Sequence, residues 1–288
     1  MQWVNAVVQG VLLGGLYALL ATGLSLTFGV MRLVNLAHGD LAILFAFVTI
    51  SVTDALGWNA LLSLIVVLPL AFIVGWGMQL ALYDRIVSVD PAYQIVATFG
   101  LAIIIQNVLL ERYSANTRRL DIGSFDEKSI KVTDQLSIGW FPLTTFGVAV
   151  AVLVALSLFL ARTRAGRAMR ATSDDTDAAR LMGIDHKRVY ALALALSFAT
   201  VALGGVFLGI RTQFDPFAGS AGLIFAFEAV IIGGLGSLWG TLVGGLVLGV
   251  AQTTGAQAQP GWGVLIGHLV FLAVLAFRPT GLFGKALA

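Results

Sequence analysis

Apolar residues in this chain fall into long runs rather than alternating or one-faced patterns. The runs lie at about 4–30, 39–53, 59–82, 92–111, 141–161, 189–212, 222–235, 240–255 and 262–277. A helix rises about 1.5 Å per residue, so about 20 apolar residues cross a hydrocarbon core about 30 Å thick. None of the runs alternates with the period of two that a membrane β-strand requires. The expected fold is therefore all-α: a polytopic helical membrane protein with eight or nine transmembrane segments, some of them discontinuous. The short segment 39–53 and the adjoining pair 222–235 and 240–255 are candidates for half-helices or re-entrant turns.

Composition strengthens this reading. Of 288 residues, 58% are hydrophobic and 11% charged, with a mean hydropathy of +0.94. Soluble domains carry about 25% charged residues. A chain this poor in charge cannot cover a water-facing surface, which excludes a soluble enzyme, a nucleic-acid binder and a disordered chain. Residues 1–288 are read as one membrane unit. The net charge of +2 reflects few charges rather than a basic face, so no nucleic-acid partner is expected. There is no cysteine, and the three histidines (His38, His186, His268) are far apart, so neither a metal site nor a cofactor is expected. No Lys or Arg precedes Arg32, which argues against a cleaved leader and for a retained first span.

Orientation follows from the basic residues. Residues 162–188 contain seven (Arg162, Arg164, Arg167, Arg170, Arg180, Lys187, Arg188) and are placed in the cytoplasm. With nine crossings, Arg32, Arg85, Arg278 and Lys285 join them there. The polar insert 112–140, with five basic residues against Asp121, Asp126, Glu127 and Asp134, falls outside. Glycines recur at four-residue spacing (Gly10/Gly14, Gly205/Gly209, Gly236/Gly240/Gly244, Gly245/Gly249), which predicts close helix packing within the chain.

Three stretches place polar groups within apolar surroundings. Residues 28–40 bring Asn35, His38, Gly39 and Asp40 into six positions. Gly39 is expected to break a helix, and Asn35 or Asp40 to cap the next one. A helix start offers free N–H groups to an anion, so the stretch reads either as a discontinuous helix on a solute path or as an ordinary capped turn. In 226–240, Glu228 lies inside an apolar run, Gly234 falls in the following break and Ser237 is a candidate N-cap. A charge at a membrane helix centre costs about 2.5–3.5 kcal/mol on insertion scales. Glu228 therefore lines a pathway or bonds a neighbouring helix. Thr98, Gln106 and Asn107, in 97–107, either line a path or bond helix to helix. His268, alone on the last span, reads as a satisfied packing histidine.

The stretch 162–188 differs in kind. Its centre predicts one helix of about ten residues, near 173–182, capped by Thr172 or Ser173, with Asp174, Asp175 and Asp177 in its first turn and Gly183 ending it. Ala178, Leu181 and Met182 form an apolar face, with Ala179 and Arg180 between them. A capped helix in so polar a loop fits a groove on a soluble partner.

Together these stretches resemble the permease subunits of bacterial branched-chain amino-acid ABC importers. The residues that carry the resemblance are Gly-Leu-Tyr-Ala-Leu at 15–19, Phe-Gly-Val-Met-Arg-Leu-Val-Asn-Leu-Ala-His-Gly-Asp at 28–40 and Thr-Phe-Gly-Leu at 98–101. Gln106-Asn107, Ala-Ala-Arg-Leu-Met-Gly-Ile at 178–184 and Gly-Gly-Leu-Gly-Ser-Leu-Trp-Gly-Thr at 233–241 complete the set. This chain has Asp40 where many relatives carry Glu. The resemblance implies a pore-forming subunit in a bacterial inner membrane, paired with a second related permease. It also implies two ATPase subunits below and a periplasmic substrate-binding protein above. The stretch around 172–184, including Ser173, Asp175 and Gly183, then looks like the helix that meets the ATPase. The chain has no Walker motif with which to hydrolyse ATP itself. Close relatives in the family move urea, short amides or aromatic acids, so substrate is the open part of the reading. A stand-alone transporter would need intramembrane carboxylates, and only Glu228 lies deep. A membrane enzyme would need a catalytic cluster, which the sequence does not suggest outside 35–40.

Overall fold

The computed structural model describes residues 2–87, 90–126, 128–133 and 136–284. Glu127, Asp134 and Lys285, which entered the charge reading, lie outside the described residues. The chain runs through α1 (Gln2–Met31), α2 (His38–Leu56) and α3 (Ala60–Met78). α3 continues through a π-helical turn (Gln79–Tyr83) into α4 (Asp84–Ile86). Then come α5 (Pro91–Tyr113), a hairpin of β1 (Ser129–Thr133) and β2 (Leu136–Gly139), and α6 (Trp140–Arg162). α7 (Arg164–Asp174) and α8 (Thr176–Leu181) lead to α9 (His186–Arg211), α10 (Gly219–Gly233), α11 (Leu238–Ala258) and α12 (Trp262–Phe277). In the hairpin the strands are antiparallel, with Ile130 opposite Ile138.

All nine apolar segments are helical, as the backbone must satisfy its own hydrogen bonds in lipid. Fewer of them qualify as crossings than the expected eight or nine. Six helices are long and apolar enough to cross, seven if α10 and α11 count as one span. α12, at 16 residues, is too short. α11 reaches 21 residues, but Gln252, Thr253, Thr254 and Gln257 dilute it. The α10–α11 pair is bent by 116°, so the two fold back on each other rather than extending one span. α2, expected to be short, spans 19 residues and qualifies.

α1 and α9 form the centre: 83% and 78% of their apolar windows are buried, against 22–28% for α3, α5 and α6. These outer helices expose Ile65, Ile73 and Val96 by two thirds. In water such surface would drive association; against lipid tails it is the favourable arrangement.

The glycine spacings serve packing between helices of this chain. A Cβ on Gly14 of α1 would lie 2.6 Å from the Gly245 carbonyl and the Leu246 Cα of α11. One on Gly244 of α11 would lie 2.8 Å from the Gly233 nitrogen of α10, and one on Gly205 of α9 would lie 2.9 Å from Ala42 Cα of α2. Backbone meets backbone at these points, which is how helices gain dispersion energy where lipid offers no hydrophobic drive.

The polar segments lie at opposite ends of the bundle. Near the start of α1, the Gln9 amide donates to the Ser137 carbonyl of β2 at 2.9 Å. At the same end the Leu120 N–H donates to Gly209 of α9 at 2.9 Å. The far end of α1 (Val30, Met31) borders a cleft shared with 172–176 and Tyr190.

Candidate functional site

The connector 32–37 is where the first candidate stretch departs from simple helix. α1 stops at Met31, and Arg32 adopts a left-handed φ of 52°. Asn35 then holds a tight turn, its Oδ1 accepting from the Ala37 N–H at 3.1 Å and its carbonyl accepting from the His38 N–H at 3.2 Å. The turn carries the chain back alongside α1. His38 Nε2 lies 2.7 Å from the Leu20 carbonyl, eleven residues before Met31, about 16 Å along a helix. A carbonyl only accepts, so Nε2 is the ring nitrogen that carries the proton. α2 thus begins beside the middle of α1 rather than at its end.

Two polar side chains of α5 complete this group. Thr98 Oγ1 accepts from the Leu36 N–H at 3.2 Å and donates to the Gln94 carbonyl at 2.9 Å. The Gln106 amide donates to Asp40 Oδ1 at 2.9 Å. Asp40 is only 2% exposed. Asn35, His38, Asp40, Thr98 and Gln106 therefore converge where α1, α2 and α5 meet. Asn107 does not join them. It follows Gln106 by one residue, about 100° around the helix, and faces outward with its amide on the Ile103 carbonyl at 2.8 Å.

Two expectations about this stretch are corrected. Gly39 does not break a helix: the break is 32–37, and Gly39 sits in the first turn of α2 against the backbone of Gly219 at the start of α10. Asp40 does not cap α2, whose N-cap Ala37 has no side-chain bond; the capping-like contact is made by Asn35.

Glu228 belongs to a different group. On α10, its Oε1 lies 2.5 Å from His268 Nδ1 of α12, with the Glu side chain 5% exposed and the His side chain 37%. The Tyr17 hydroxyl of α1 donates to Gln252 Oε1 of α11 at 2.6 Å. The Phe225 ring lies 5.1 Å from the Tyr17 ring and 6.2 Å from the His268 ring. Glu228 is thus bonded to a neighbouring helix and is what satisfies His268.

Gly234 and Ser237 lie elsewhere again. Gly234 ends α10 at φ 103°, against Gly281 and Gly284, while the Leu282 and Phe283 N–H groups donate to the Ile232 and Gly233 carbonyls at 2.8 and 3.0 Å. Ser237 caps α11, accepting from the Gly240 N–H at 3.1 Å. The 233–240 break therefore sits at the end of the bundle beside Gly29. The other end of α10 reaches the 35–40 group, where Gly219 packs on Asp40.

In 162–188 the structure has two short helices where one was expected. Thr163 caps α7, accepting from the Gly166 N–H at 2.9 Å. Asp175, not Thr172 or Ser173, caps α8: its Oδ1 accepts from the N–H groups of Asp177 and Ala178, both at 2.9 Å. A carboxylate facing a helix start gains from both the free N–H groups and the dipole. Ser173 instead closes α7, donating to the Arg170 carbonyl at 2.8 Å. Gly183 stops α8 at φ 82°, with the Ile184 N–H on Ala179 at 3.0 Å, as glycine does best. Ala179 is buried, Ala178 is exposed, and Leu181 and Met182 are 88% and 83% exposed. Arg180 faces Asp177 at 3.7 Å.

Sequence reasoning missed Leu20, whose backbone carbonyl carries no side-chain signal, and Gly219, whose role exists only through Asp40. Tyr17 and Gln252 were also missed, although each is a polar residue in an apolar run, the same signal that singled out Gln106.

Fold and site define a class: a polytopic all-α membrane protein with a broken helix and buried polar groups at its centre. Residues 6–275 match the family described as branched-chain amino acid transport system / permease component, and the chain belongs to that family. It is 28% identical to the high-affinity branched-chain amino acid transport system permease protein BraD of Pseudomonas aeruginosa, covering 98% of this chain and 96% of that one. Identity to the permease LivH of Escherichia coli is also 28%, over 96% of this chain and 94% of the relative. A probable branched-chain amino acid transport permease of Methanocaldococcus jannaschii is 29% identical over 95% and 90%. A solved structure of PsaBC from Streptococcus pneumoniae covers 97% of this chain and 92% of its own at 17% identity, with a TM-score of 0.46.

Proposed function

We propose that this chain is the pore-forming subunit of an ATP-driven importer of branched-chain amino acids. The observation that carries the reading is the family match over 6–275 together with relatives aligned nearly end to end. Its partners are a second related permease, two ATPase subunits and a periplasmic substrate-binding protein, and its place is the bacterial inner membrane. The chain hydrolyses no ATP itself; the partners do. In this reading 112–140 lies outside and 162–188 in the cytoplasm, where α8 presents Leu181 and Met182 to the ATPase. A six-residue helix stopped by Gly183 is short and stiff enough to pass the ATPase's movement to α9. The break at 32–37, with His38 and Asp40 at the start of α2 and Thr98 and Gln106 of α5, lines the solute path, because non-helical backbone at membrane depth is tolerated only against protein or a water-filled cavity. Reconstitution with the partner subunits tests this. Leucine uptake should require ATP and the binding protein, and Asn35→Leu should reduce it while the complex still assembles. Uptake of another solute class but not leucine would refute the substrate, and uptake without ATPase subunits would refute the importer.

A further inference from the structure

Among the buried polar side chains that take no part in the contacts described so far, two fall on one short segment. Gln79 and Tyr83 open and close the π-helical turn between α3 and α4. Both are fully buried, at 0% exposure. Neither polar atom of the Gln79 amide, nor the Tyr83 hydroxyl, has a hydrogen-bond partner among the described residues. The Tyr83 hydroxyl stands beside the Asn35 side chain.

This arrangement is costly where it stands. A buried polar group without a partner forfeits its hydration and receives nothing in return. Leu at 79 and Phe at 83 would fill the same space without that loss. The π-helical turn adds a second cost, since it gives up regular α-helical bonding, and such turns concentrate at functional sites. A conformation in which the three atoms find partners would recover what this one loses.

Position says where those partners come from. The residue after Tyr83 is Asp84, which pairs with Lys187 at 2.7 Å, at the start of α9. That start follows directly on α8, so Tyr83 lies just inside the end of the bundle that carries α7 and α8. One α-helical turn before Gln79, Gly75 holds α3 tightly on α9: a Cβ there would lie 2.9 Å from Ala195 Cα. The connector 32–37 borders Tyr83 through Asn35. The unpartnered groups thus lie between the broken helix and the α7–α8 end.

We propose that Gln79 and Tyr83, with Asn35, form a polar step of the translocation path that is shut in this conformation. It opens toward the α7–α8 end during transport and takes the ammonium and carboxylate of a zwitterionic amino acid. The inference rests on the importer reading above and adds residues to it. Two amides and a phenol are each both donor and acceptor, so they meet both charged ends of a zwitterion. None carries a fixed charge that would hold the solute back, and passage needs a site weak enough to leave. The π turn supplies a place where α4 can shift against α3 without breaking the span.

The test uses the reconstituted complex with cysteine-free partner subunits; this chain has no cysteine of its own. Gln79→Cys and Tyr83→Cys should react with a small thiol reagent, applied from the α7–α8 side, at least tenfold faster during ATP turnover than at rest. Saturating leucine should slow that reaction. Gln79→Leu should raise the melting temperature of the complex and lower leucine uptake at least fivefold, with Gln79→Asn restoring part of it. A merely structural role would leave uptake unchanged in Gln79→Leu, and that result overturns the proposal. So would equal labelling with and without ATP, a lowered melting temperature in Gln79→Leu, or labelling that leucine does not slow, which would mean water alone enters. Failure of the unsubstituted complex to take up leucine would count against the importer reading instead; ATP-dependent labelling at 79 and 83 would still decide whether the step opens.

Discussion

Gly219→Ala should damage both the stability and the activity of this protein although it adds one methyl group. Gly219 starts α10 and packs on Asp40. A Cβ there would lie 2.7 Å from both the Cα and the backbone nitrogen of Asp40, against 3.4–4 Å for an ordinary contact, a shortfall of at least 0.7 Å. Asp40 Oδ1 is nearer still, and although that side chain can turn, the Cα and nitrogen are backbone and cannot rotate aside. α2 cannot readily retreat, since His38 is bonded to Leu20 at 2.7 Å and Asp40 to Gln106 at 2.9 Å. Overpacking of this kind costs about 1–3 kcal/mol. Loss of the Asp40–Gln106 hydrogen bond adds about 0.5–1.5 kcal/mol, while alanine returns about 1 kcal/mol of helix propensity. The net loss is about 0.5–3.5 kcal/mol, which at about 2 °C per kcal/mol for a chain of this size lowers the melting temperature by at least about 1 °C. Gly222→Ala is the matched control. It lies on the same helix, and a Cβ there meets only the Leu208 side chain, at 3.9 Å. It should leave the melting temperature unchanged or raise it. Thermal unfolding of the two purified variants, with leucine uptake alongside, checks the argument. Equal behaviour of the two would refute the close approach of α2 and α10 and, with it, the placing of Asp40.

Cysteines at Ser129 and Ser173 should report opposite sides of the membrane: in intact cells an impermeant thiol reagent should label Ser129→Cys and spare Ser173→Cys, and the reverse pattern would invert the orientation. Glu228→Leu and His268→Leu should be coupled in a double-mutant cycle by about 0.5–3 kcal/mol, the range for residues in one hydrogen-bond network, and additivity would mean the 2.5 Å contact contributes nothing. Ala178→Asp and Leu181→Asp alter exposed positions of α8, so the isolated chain should keep its melting temperature while the complex loses substrate-stimulated ATP hydrolysis; retained stimulation would make α8 a solvated connector. Gly183→Val should also weaken coupling, because a side chain at its φ of 82° costs about 1–2 kcal/mol and redirects the chain entering α9.

Much of this architecture was written in the sequence because lipid leaves the backbone little choice. An apolar run in a medium without water must form helix to satisfy its own N–H and C=O groups, so each of the nine runs is helical without reference to any other. Local chemistry was legible for the same reason of short range: Ser237 caps α11 and Gly183 stops α8 through contacts a few residues away. Where two local solutions competed, the sequence misled: Asp175 takes the cap expected of Thr172 or Ser173. The glycine spacings also signalled close packing, though not that Gly14 would meet Gly245. What only the tertiary structure decided is which polar side chains share a site, and which crossings are complete. A helix in lipid is free to turn any face inward, so nothing in the order of residues distinguishes Gln106, bonded to Asp40, from Asn107, turned away. Glu228 and His268 are forty residues apart and meet only because α10, α11 and α12 fold back on one another. The return of the chain from Met31 to the level of Leu20 depends on α1 being already in place, since His38 donates its hydrogen bond to the Leu20 carbonyl on the side of that helix. Helix formation is a property of each segment alone; burial of a polar group is a property of the segments it is packed between.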